Sequence, residues 1–125
     1  MQNKEILDKF GEFFISKIRD NPYEYFLGLL DGKWKNYDSI KITNDLSKFN
    51  PEQIEIIKKI LLSSLDVALH DFLFGINEEN TFDIVAKEEN KSASLKEMSD
   101  GLWGEPFGAD GWIKRYSKYV IESQT

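Results

Sequence analysis

A chain of 125 residues, 41% hydrophobic and 30% charged, is the size of one soluble domain with a single core. It contains no cysteine, which excludes disulfides, thiolate nucleophiles and cysteine-based zinc sites and fits a reducing compartment. The net charge of −6 is uneven: residues 66–110 hold three lysines against eleven acids, which excludes nucleic acid as a partner and favours a protein with a basic surface.

The N-terminal stretch MQNKEILDKFGEFF mixes charged and apolar residues and does not read as a signal peptide. A first helix is predicted over residues 4–20, with Ile6, Phe10, Phe13, Phe14 and Ile18 grouped on one side. Asn21 and Pro22 read as a cap and a first-turn proline that open a second helix, which Gly32 ends. A short helix is expected after Asp38. Asn50, Pro51 and Gln53 form a capping signature for a long helix over residues 51–75.

That helix carries two apolar stripes. Ile54, Ile57, Leu61, Leu65, Ala68 and Phe72 form one, and Ile56, Ile60, Val67 and Phe74 the other. A helix apolar on two sides is expected to sit centrally, with neighbours on both. No apolar run approaches the roughly 18 to 20 residues of a membrane span, so a cytoplasmic protein without membrane attachment is expected. A short β-hairpin is predicted at about 81–96, turning near Glu89 and Asn90, and a last helix from Asp110 with Trp112, Ile113, Tyr116, Tyr119 and Val120 on one face. The fold class is therefore mainly α: a single-domain helical bundle around one long helix, with a hairpin and a glycine-rich loop.

Candidate chemistry is sparse. His70 is the only histidine; Asp66, one turn before it, could orient its ring. Asp100, Glu105 and Asp110 are the carboxylates of the loop, and Glu105 stands closest in sequence to the rings of Trp103 and Phe107, where a desolvated general acid could be made. Their spacing does not match a calcium-binding loop, and one histidine without cysteine leaves no softer metal set, so no metal is expected. Gly101, Gly104, Gly108 and Gly111 fit neither the dinucleotide nor the phosphate-loop pattern, so no cofactor is expected. Trp112 is predicted to be buried, while Trp103 and Phe107 could either plug the core or anchor a partner.

The segment SDGLWGEPFGADGWIKRYSKY, residues 99–119, resembles the C-terminal signature of a family of small bacterial cytoplasmic proteins of unknown function, some loosely labelled epimerases. The similarity extends to LDVALHDFLFGI and faintly to the first helix. The resemblance carries no catalytic residue with it, and no nucleotide-binding motif supports epimerase chemistry. The leading expectation is an acidic protein–protein interaction module, of which a toxin-neutralising immunity or antitoxin-like protein is one version, binding through Asp100, Trp103, Glu105, Phe107 and Asp110. The alternatives are a small hydrolase-like enzyme that pairs the loop carboxylates with His70, and a structural homo-oligomer.

Overall fold

The computed structural model describes residues 2–121. Its elements are α1 (Asn3–Phe14), a π-helical turn (Ile15–Asp20), α2 (Asn21–Leu30), α3 (Tyr37–Leu46), α4 (Pro51–Glu78), the strands β1 (Val85–Glu88) and β2 (Lys91–Ser94), two single 3₁₀ turns (Leu95–Met98 and Leu102–Gly104) and α5 (Trp112–Tyr116). This is the mainly helical fold expected, built on one long helix with a single hairpin.

The chain does not break at Asn21. Asp20 and Asn21 both keep helical dihedrals, and the Asn21 N–H donates to the carbonyl of Ser16, five residues back. Pro22 has no N–H to donate, and its ring would clash with the carbonyl four residues earlier in an ordinary helix. The wider π turn accommodates the proline without ending the helix. It also turns the neighbours Arg19 and Asp20 inward together, and both are buried.

The cap of α4 forms as its sequence dictates: the Asn50 side chain accepts from Gln53 N–H at 2.8 Å, and the Gln53 side chain accepts from Asn50 N–H at 2.9 Å. The Asn36 side chain caps α3 by accepting from the Ser39 N–H at 2.9 Å, so that helix starts slightly earlier than expected. The hairpin pairs Val85 with Ser94 and Glu88 with Lys91 across the Glu89–Asn90 turn. Leu95, almost wholly buried, fastens its base to the core.

Two apolar clusters make up that core. The first joins Leu7, Phe14, Ile15, Leu69, Leu73, Leu95, Leu102, Trp112 and Ile113. The second joins Tyr23, Phe26 and Leu62, with Tyr119 and Ile121 packed against it. Between them, at the same level on three segments, lies a polar layer. Arg19, with no exposed surface, donates from Nε to Asp66 Oδ1 at 2.7 Å and from Nη1 to Ser117 Oγ at 2.8 Å and to the Tyr119 carbonyl. Asp20 accepts from Ser117 Oγ at 2.6 Å and from the Lys118 N–H at 2.9 Å. Because the π turn leads from the first cluster to the second while α4 leads from the second to the first, the two run antiparallel.

The polar layer also ends α5. The last helix was expected to reach Tyr119 and Val120, but Ser117 is extended (φ −79°, ψ 144°), and the Asp20 carboxylate takes the N–H of Lys118. Tyr119 then packs edge-on against Tyr23, ring centroids 4.8 Å apart, and Val120 faces solvent.

Burial corrects two apolar faces. On α1 and the π turn, Phe13 and Ile18 are exposed, and Leu7 and Ile15 are buried instead. On α4 the buried residues are Leu62, Asp66, Leu69 and Leu73, while Ile56, Ile60, Val67, Phe72 and Phe74 are all exposed. The expected cover on both stripes is incomplete: Trp103 packs edge-on against Phe74 of the second stripe, while Ile56, Ile60 and Val67 of that stripe face solvent. By length and composition α4 is also apolar enough to cross a membrane, with a window of mean hydropathy 1.3 of which 22% is buried. This corrects the expectation that no apolar run approaches the length of a span.

Candidate functional site

The loop between the hairpin and α5 is held rather than floppy. Leu102 and Pro106 are buried as anchors, and Trp112 and Ile113 donate their N–H groups to the carbonyls of Glu105 and Pro106, both at 3.0 Å. Gly108 turns the chain at φ +88°, a conformation that side-chain-bearing residues rarely adopt. Beneath the loop, Trp112 lies flat against Gly11 of α1: a Cβ there would sit 2.5 Å from the indole. Sequence alone does not show that Gly11 and Trp112 meet.

The outer side of the loop is aromatic. Phe107 is 37% exposed, and its ring centroid lies 6.3 Å from that of His70. His70 in turn stacks on Phe74 at 5.9 Å, and Trp103 meets Phe74 edge-on at 5.4 Å. Trp103 is half-buried, with part of its ring packed on the first cluster. The four rings form a ribbon from the loop onto α4. Asp71, bonded to His70 Nδ1 at 3.0 Å, stands beside it, and Asp100 and Asp110 are exposed on the same loop.

On its other flank the loop borders a polar cavity of about 700 Å³ lined by Lys4, Asp8, Glu105, Asp110 and Arg115, among others. Arg115 Nη2 donates to Asp8 at 3.1 Å, and its Nε donates to the Asp110 carbonyl at 2.9 Å. The Arg115 bond holds the Asp8 carboxyl below its usual range, and Asp8 raises the guanidinium in return. Glu105 accepts from Ser99 Oγ at 2.6 Å. Arg115 and Asp8, 107 residues apart, were not singled out in the sequence, and no local pattern connects them.

The site residues expected for an enzyme are not brought together. Asp66 is bonded to Arg19, not to His70, because the two helices meet at that level. His70 does not line the cavity that holds Glu105 and Asp110, and Asp100 does not line it either. Among the described residues no group of three or more His, Asp or Glu could hold a metal ion. A second groove, about 660 Å³ between α1 and β1, is floored by Phe10, Phe13 and Ile84; Lys9, Lys87 and Glu88 are its charged lining residues. It holds no nucleophile–base pair. What the loop and α4 expose is a row of partly buried rings. No family model matches the chain, no curated protein is significantly similar to it, and no solved structure matches it.

Proposed function

We propose that this chain is a small acidic protein–protein interaction module whose partner docks on the ribbon of Phe107, His70, Phe74 and Trp103. The observation that carries the reading is the ribbon itself: contiguous rings, partly exposed and held on a fixed loop, with acids around them. Rigid aromatic side chains give a large contact at low entropic cost and dominate many interfaces, while surrounding charge sets approach rate and partner choice. Three lysines against eleven acids over residues 66–110 favour a partner with a basic surface, and disfavour nucleic acid and anionic lipid. A cytoplasmic immunity or antitoxin-like protein is one concrete form of this reading. The likeness of residues 99–119 to small bacterial cytoplasmic proteins of unknown function is compatible with it.

The test is a comparative pull-down from the native lysate with the wild-type chain, Phe107→Ala and Asp100→Asn/Asp110→Asn as baits, at low and high salt. The reading expects a protein retained by the wild type, lost with Phe107→Ala, and weakened both by the double substitution and by salt. Capture of the same proteins by all three baits would refute it.

A further inference from the structure

The hairpin leaves one strand edge open beside α1. In its antiparallel register Val85 faces Ser94, Ala86 faces Ala93, Lys87 faces Ser92 and Glu88 faces Lys91. The Leu95 N–H donates to the Ile84 carbonyl at 2.9 Å. Ladder bonds fall on alternate pairs, so Ala86 and Glu88 also turn their main-chain groups toward β2. Val85 and Lys87 turn theirs the other way, and among the described residues nothing bonds to them.

This edge is one wall of the groove of about 660 Å³, where residues 84–88 line one side in unbroken sequence. Ile6, Phe10 and Phe13, at helical spacings of four and three, line the other. Ile84 and Ala86 face the first cluster, whereas Val85 and Phe13 are 45% and 59% exposed. Lys9 and Lys87 against Glu88 leave the lining positive, in a chain whose net charge is −6.

An open edge selects its occupant. Alternating free N–H and C=O groups match the main chain of an extended peptide, and a strand added there continues both faces of the sheet. Its inward side chains would rest on Phe10 and Phe13, and its outward ones would stand beside Val85 and Lys87. A second copy does not fit: the two-fold axis that pairs two β1 edges runs normal to the sheet and brings both α1 helices under the same junction.

The geometry points to β1 as the docking edge for an extended segment of a partner protein, apolar at alternate positions and acidic between them. The segment adds as a third strand beside β1, over the α1 groove. None of Phe107, His70, Phe74 and Trp103 lines that groove, so the proposal goes beyond the partner reading and stands without it.

The test selects random nonapeptides, displayed on phage, on the immobilised full chain. The enriched sequences are expected to alternate apolar residues with Asp or Glu, and a synthetic peptide of that sequence to protect the Val85 and Lys87 amides from hydrogen exchange. N-methylation of one alternate set of peptide amides is expected to weaken binding about tenfold per amide, and of the other set to leave it nearly unchanged. Lys87→Pro removes an N–H that the hairpin does not use, so it should keep the native circular dichroism spectrum and lose the peptide. Should that variant not fold, the methylated peptides decide alone. Phe107→Ala should bind the peptide as the wild type does. The inference is overturned by a selection that enriches no sequence, by equal effects of the two methylation sets, by unchanged exchange at Val85 and Lys87, or by loss of the peptide in Phe107→Ala.

Discussion

Replacing Arg19 by Met would test whether the polar layer holds the two halves of the core in register. Met fills most of the side-chain volume but leaves Asp66 and Asp20, 8% and 4% exposed, without the cation between them. Asp66 Oδ2 already has no hydrogen-bond partner among the described residues, so the loss cannot be shared out. Breaking a buried pair from one side costs about 3–5 kcal/mol. That is a large share of the roughly 5–15 kcal/mol that stabilises a domain. With a urea slope of about 1.5 kcal/mol per molar, the midpoint should fall by about 2–3 M.

The companion variant Arg19→Met/Asp66→Leu removes both charges and joins the two apolar clusters, and it should recover most of the loss. The assay is urea unfolding followed by the fluorescence of the buried Trp112. Should Arg19→Met not fold, Asp66→Asn gives a milder reading, with an expected loss of about 1–3 kcal/mol. A loss below about 1 kcal/mol for Arg19→Met, with no coupling to Asp66→Leu, would refute the reasoning, because that is how exposed pairs behave.

Gly11→Ala should destabilise by about 1–3 kcal/mol although alanine is the better helix former, since its Cβ would lie 2.5 Å from the Trp112 ring; urea unfolding decides the sign. Glu89 sits at φ +47° in the hairpin turn, so Glu89→Gly should raise stability by a few tenths to about 1 kcal/mol, read from the same curves. The lowered Asp8 carboxyl gives stability that is fully present above its unfolded value and is lost as pH falls through the folded one. Asp8→Asn should therefore flatten the acid limb of the stability–pH curve and leave its shape near neutrality unchanged.

Much of the secondary structure was legible because it is local. Asn50, Pro51 and Gln53 lie within four residues and make the cap of α4 by themselves, and the polar pair Glu89–Asn90 marks the hairpin turn. The misreadings come from non-local terms. Asn21–Pro22 carries a strong helix-start signal, yet packing on both sides keeps the chain helical through a π turn. Ser117 and Lys118 leave the helix because Asp20, about a hundred residues earlier, takes the Lys118 N–H. Apolar period located the stripe of Ile56, Ile60, Val67 and Phe74 correctly but cannot say whether anything covers it. The glycine-rich loop was recognisable as special, whereas its ribbon with His70 and Phe74 and its Arg115–Asp8 tie depend on contacts across the fold.

The central claim is that the loop and its ribbon form a partner surface. Site-specific photo-crosslinking in the source organism tests it most directly. A photoreactive side chain at position 107 is compared with one at Tyr37, which is 75% exposed on α3. The account predicts a discrete, salt-sensitive adduct with a basic protein from position 107 and none from position 37. Identical patterns from both positions, or no adduct from position 107, would contradict it.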